Sequence, residues 1–103
     1  MVQERLAVVA LVFNNRAYGN VLRDQRTNFS NRTIGAALHN PDFIKLADAF
    51  GVEAVRVESP EALRPELARA IAAGTPQLIE IVVPQGSEAS PWQFVHVTID
   101  ARR

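Results

Sequence analysis

Two adjacent asparagines, Asn14 and Asn15, close an unbroken run of eight apolar residues from Leu6 to Phe13. Each carboxamide offers one neutral oxygen acceptor and two N–H donors. A hard cation such as Mg²⁺ takes oxygen ligands of this kind and usually engages a phosphate at the same time. Ala17, Tyr18, Gly19 and Asn20 follow and read as a turn, with Gly19 able to take a positive φ. No other chemistry has a foothold, and no catalytic residue is assigned. No serine has a nucleophile-elbow setting, and no glycine-rich phosphate loop is present. His39 and His96 fall in different elements, without a carboxylate or second histidine at metal spacing, and read as structural or surface residues. Cysteine is absent, which removes disulfides and thiolate metal sites.

The elements that must position the asparagines follow from the pattern. The apolar run is far shorter than the roughly 20 residues a bilayer requires. Rich in Val, it reads as a strand buried on both faces, as in a parallel sheet. Asn14 and Asn15 then sit at its carboxyl end, the edge at which open α/β sheets bind ligands. Val21 to Gln25 suits a short helix in which Arg23 and Asp24 form a solvated pair. Residues 26–40 are irregular, a loop of the length that is usually functional or mobile. Asn40 suits an N-cap, Pro41 a first helical position and Asp42 the positive end of the dipole. Phe43, Ala47 and Phe50 then recur at helical spacing, with Gly51 just past the end. Val52 to Val57 alternates as a short strand. A second helix starts at Ser59-Pro60-Glu61 and ends at Gly74. Pro65 should divide it into a first turn at 60–64 and a main helix that buries Leu67, Ala70 and Ile71. Gln77 to Val83 reads as the third strand.

Strands alternating with helices predict right-handed crossovers: an α/β fold with a short parallel sheet of about three strands. That organisation occupies residues 1–84. Residues 85–103 form a tail in which Val95, Val97 and Ile99 alternate with polar residues as an edge strand would, with Trp92 as a lid over the core. The 103 residues suffice for one small domain. Eleven basic residues balance eleven acidic ones and form no stripe, so nucleic acid is excluded as a partner. No signal-peptide pattern precedes the first strand, so a cytoplasmic location is expected, with no membrane partner.

The segment Asn14-Asn15-Arg16-Ala17-Tyr18-Gly19 after a hydrophobic strand resembles one half of the cofactor motif of thiamine-diphosphate-dependent enzymes, the acetolactate synthase-like group above all. The likeness continues through Asn20–Gln25, His39–Phe43, Leu46–Gly51, Val55–Glu61 and Ser90-Pro91-Trp92. The resemblance implies a partial thiamine-diphosphate-binding fold. It also implies Mg²⁺ ligation by the Asn15 side-chain oxygen and the Ala17 carbonyl, with Tyr18 and Gly19 beside the diphosphate and Asn14 supporting the turn. The implied parent reaction is decarboxylation or carboligation of a 2-oxo acid, with the cofactor supplying the chemistry.

The family motif opens upstream with Gly-Asp-Gly, whose Asp is the charged Mg²⁺ ligand. Here 13 residues precede Asn14 and no Gly-Asp pair occurs. The pyrimidine-binding domain, with its activating glutamate, has no counterpart either. The expectation is the carboxyl-terminal part of a cofactor-binding domain, holding Mg²⁺ poorly and inactive alone. By analogy the Leu6 strand would lie between a missing strand and the one at Gln77 to Val83, so that losing the first leaves it a free apolar edge. Its expected partners are a second copy, the 95–100 tail, or an N-terminal portion of the parent enzyme. The alternative function is a non-catalytic, oligomerising α/β interaction module.

Overall fold

The computed structural model describes residues 1–87; Trp92, His96 and the expected strand at 95–100 lie outside the described residues. The three Val- and Ile-rich runs form strands and the segments between them form helices. In chain order these are β1 (Val9–Asn14), α1 (Gly19–Asn28), α2 (Phe43–Ala49), β2 (Glu53–Val57), α3 (Pro60–Ala72) and β3 (Gln77–Val82). The strands make one sheet in the order β1-β3-β2, with both pairs parallel. Leu11 lies opposite Ile79, which lies opposite Val55. The α/β fold with a three-stranded parallel sheet is as the alternation of elements predicts.

Strand side chains alternate between faces, which gives the two sides of this sheet different characters. One face carries Val55, Val57, Ile79 and Ile81, packed with Leu63, Leu67 and Ala70 of α3 and with Val9. Ile79 has no exposed surface and is the centre of the core. The other face brings Asn14, Glu80 and Arg56 to the carboxyl half of the sheet.

Several expectations need correction. β1 stands at the edge of the sheet, as the family analogy implies, but it is not buried on both faces: under α3, Leu11 is 41% and Phe13 67% exposed. Strand composition alone does not distinguish an edge from a centre. α1 is longer than expected, and Arg23 and Asp24 bond different neighbours, Asn20 and Asn28, because adjacent helical residues diverge. Asp42, not Asn40, caps α2, accepting from the backbone N–H groups of Ile44 and Lys45. Ser59 caps α3 as expected, but the helix runs unbroken through Pro65. Pro65 is exposed, so the carbonyl it leaves unbonded can turn to water. Ile71 is 67% exposed; Leu63 packs on the core in its place. No helix of the described residues is long and apolar enough to cross a membrane.

Candidate functional site

β1 delivers Asn14 to the carboxyl edge of the sheet, where its side chain is 7% exposed. Its Nδ2 donates to Glu80 Oε1 at 2.7 Å. Its Oδ1 accepts from the Arg16 N–H at 3.1 Å and from Asn40 Nδ2 at 2.6 Å. One residue on, Asn15 Oδ1 accepts from the Ala17 N–H at 3.0 Å. Two successive side-chain-to-backbone turns of this kind bend the chain sharply. They hold Arg16 at φ +55°, a left-handed conformation uncommon outside glycine. The left-handed residue of the turn is therefore Arg16; Gly19 is instead the first residue of α1. Asparagine side chains provide locally the hydrogen bonds that make a non-glycine residue tolerable there.

The loop before α2 clamps the turn from the other side. Ala17 forms an antiparallel bridge with Ala37. The Tyr18 N–H donates to the Ala36 carbonyl and the Leu38 N–H to the Arg16 carbonyl, each at 2.8 Å. Those bonds run through Arg16 and Tyr18 and leave the Ala17 carbonyl outside the bridge. Tyr18 occupies the N-cap position of α1 without a side-chain cap bond, and it is 60% exposed.

Two clefts flank the turn. One, of about 230 Å³, lies toward α1 and is lined by Asn15, Ala17, Gly19, Arg23, Arg26 and Gly86. The other, of about 440 Å³, is polar and floored by Asn14, Glu80 and Arg56, with Arg16, His39 and Asp42 around it. Of the five residues singled out in the sequence, Asn15, Ala17 and Gly19 thus share one cleft. Asn14 faces the opposite cleft, and Tyr18 stands exposed beside the turn.

The residues that sequence reasoning missed form the support beneath Asn14. Glu80, 2% exposed on the central strand, accepts from Arg56 Nε at 2.6 Å. Arg56 also reaches Asp42 Oδ1 at 3.3 Å. The hydrogen bond with Glu80 is the main influence raising the Arg56 guanidinium above its ordinary pKa. Asp42 lies below its ordinary value, chiefly because the Lys45 N–H bonds its carboxylate; the Ile44 N–H and Arg56 act in the same sense against desolvation. The available signal was an acid inside the apolar run Leu78-Ile79-Glu80-Ile81-Val82, since a carboxylate on a buried strand requires partners.

Of the residues lining the cleft toward α1, Asn15 and Ala17 carry neutral oxygens of the kind a hard cation accepts, and Asn15 Oδ1 already accepts from the Ala17 N–H. Mg²⁺ demands near-octahedral coordination. Among the described residues, no group of three His, Cys, Asp or Glu side chains could hold a metal ion. Two neutral oxygens would fill only part of an octahedral shell.

Comparison with known proteins places these features in a lineage. Residues 1–81 match the family described as "Thiamine pyrophosphate enzyme, C-terminal TPP binding domain". Over 87 residues the chain is 37% identical to the probable acetolactate synthase large subunit of Methanocaldococcus jannaschii, covering 84% of this chain and 15% of that protein. It is 38% identical over 84 residues to pyruvate oxidase of Lactiplantibacillus plantarum, covering 80% of this chain and 14% of that one. Benzoylformate decarboxylase from Polynucleobacter necessarius shares the fold, with a TM-score of 0.73 at 20% identity over 86% of this chain and 17% of its own. The chain thus spans about 15% of the length of the first of these relatives. On the extent of the family match and the identity to acetolactate synthases, it belongs to the thiamine pyrophosphate enzymes, within their C-terminal TPP-binding domain.

Proposed function

We propose that this chain supplies the second half of a thiamine diphosphate and Mg²⁺ site in an acetolactate synthase-like enzyme acting on 2-oxo acids. Residues 1–84 form the contributing part of the domain, and 85–103 form a tail. The single observation that carries the reading is the braced turn after β1. It sets Asn15 and Ala17 on one cleft with the first residue of α1, while Asn14 is engaged beneath by Glu80 and Asn40. Asn15 Oδ1 and the Ala17 carbonyl would ligate Mg²⁺. Tyr18 and Gly19 would lie beside the diphosphate, and Asn14 would hold the turn. Bound thiamine diphosphate supplies carbanion stabilisation; this chain's residues bind and orient it. With neutral donors alone, the isolated chain binds Mg²⁺ weakly and does not catalyse.

The test is calorimetric titration of the chain with thiamine diphosphate, with and without Mg²⁺. Mg²⁺-dependent heat that disappears in Asn15→Ala is the expected result. No binding at any Mg²⁺ concentration would sink the reading for the isolated chain. A second reading, a non-catalytic module that oligomerises, is favoured by a different observation: among the described residues no strand pairs with the outer edge of β1, and Leu11 and Phe13 are exposed. It requires association without cofactor affinity.

A further inference from the structure

We infer that Glu80 is a positioning residue for this site. Its carboxylate sets the orientation of the Asn14 carboxamide, and through Asn14 and Arg16 the direction in which Asn15 and Ala17 present their oxygens. The part of the inference that concerns affinity rests on the reading of Asn15 and Ala17 as ligands. The part that concerns the turn stands on the hydrogen bonds alone.

A carboxylate 2% exposed on a central strand is costly unless its oxygens are bonded. Arg56 Nε takes Oε2 at 2.6 Å, and Asn14 Nδ2 takes Oε1 at 2.7 Å. An ionised carboxylate only accepts, and the Arg16 N–H only donates. The Asn14 carboxamide stands between them, and one orientation satisfies both. In that orientation Nδ2 faces Glu80 while Oδ1 faces the Arg16 N–H and Asn40 Nδ2. The reversed carboxamide would set oxygen against oxygen at Glu80 and N–H against N–H at Arg16. Glu80 therefore decides which end of Asn14 meets the turn. That end stabilises Arg16 at φ +55°, and the next residues, Asn15 and Ala17, take their direction from it. Arg56 is held in turn by Asp42, the N-cap of α2. One chain of bonds thus runs from α2 across β2 and β3 to the turn after β1.

The experiment uses the full chain, with MgCl₂ and thiamine diphosphate as probes. Amide hydrogen exchange followed by NMR reads the turn without any cofactor. In Glu80→Ala, the Arg16 and Ala17 N–H groups should exchange about 10-fold faster, relative to the β3 amides, than in Leu67→Ala, a core variant remote from the turn. Calorimetry on the same variants should show a Kd weakened by about 10–100-fold in Glu80→Ala, the range for lost outer-shell partners, and unchanged in Leu67→Ala. Glu80→Gln keeps the side-chain size if the alanine variant fails to fold. Its carboxamide can satisfy only one of Arg56 and Asn14, so both readouts should shift to an intermediate degree. Equal exchange at Arg16 and Ala17 in the Glu80 and Leu67 variants would overturn the inference. Faster exchange with an unchanged Kd would overturn its link to the ligands. Faster exchange in a chain that never binds the cofactor would keep Glu80's role in the turn and remove the cofactor reading instead.

Discussion

Asp42 serves two structures at once, as the cap of α2 and as the outer partner of Arg56. Its carboxyl is held below the ordinary value, first by the Lys45 N–H, so it binds its proton more weakly in the folded chain than in the unfolded one. The stabilisation this confers is complete above the unfolded aspartate value of about 3.9 and is lost as pH falls through the lower folded value. Urea midpoints measured across that acid range should therefore fall more steeply for the native chain than for Asp42→Asn, which keeps an acceptor at the cap but does not titrate. Equal slopes would show that the carboxylate charge contributes nothing there. The same residue shows where the sequence was ambiguous. Asn40, Pro41 and Asp42 are all good helix-start residues, and what selects Asp42 is tertiary: Asn40 is engaged by Asn14. That Asn15 and Ala17 would stand together at the end of β1 was legible because they lie close together in the sequence. Glu80 was not, because its partners come from β1 and β2, and neither pairing leaves a mark on local spacing.

At the scale of elements, periodicity was a sound guide to α3 except at two positions. Leu63, Leu67 and Ala70 share a stripe on the core. Ile71 lies one step further on, about 100° around the helix, and points away from it. Pro65 reads as a break from its ring chemistry, yet the Ser59 cap and the packed stripe carry the helix through. The proline still removes one backbone hydrogen bond, an interior cost of about 3 kcal/mol against alanine. Part of that is offset because proline also restricts the unfolded chain by about 0.4–1 kcal/mol. Pro65→Ala should therefore raise unfolding stability by about 2 kcal/mol in urea titrations. A lower midpoint would mean that the ring makes a contact worth more than the bond it deletes. Strand identity was equally legible. Strand position is not written in composition, because an edge and a centre can carry the same apolar residues; the edge position of β1 followed from the family resemblance alone.

At the scale of the whole molecule, the asymmetry is β1. Its outer edge meets no strand among the described residues, and such an edge is a template for pairing. With Leu11 and Phe13 exposed beside it, the chain should associate as its concentration rises in sedimentation velocity. Phe13→Lys should return it toward monomer by placing a charge at the pairing site. A concentration-independent monomer would remove the oligomeric reading. The parallel sheet itself was expected from the alternation of strands and helices. The pairing of β1 with β3 follows from the family resemblance and not from the order along the chain, from which β1-β3-β2 departs.

That order also sets a timetable. The strand that comes last among the six elements is the one to which both others bond, and β1 and β2 do not pair with each other. Up to Gly74 the described residues therefore hold two strands that do not pair with each other. Among the described residues, every bond of the sheet waits for Gln77 to Val82, and with them the Glu80 carboxylate that orients Asn14. Non-local closure of this kind is slow and leaves apolar strands exposed meanwhile. The turn that would hold a cofactor is thus fixed only once β3 arrives, although the residues that form it precede β3 along the chain.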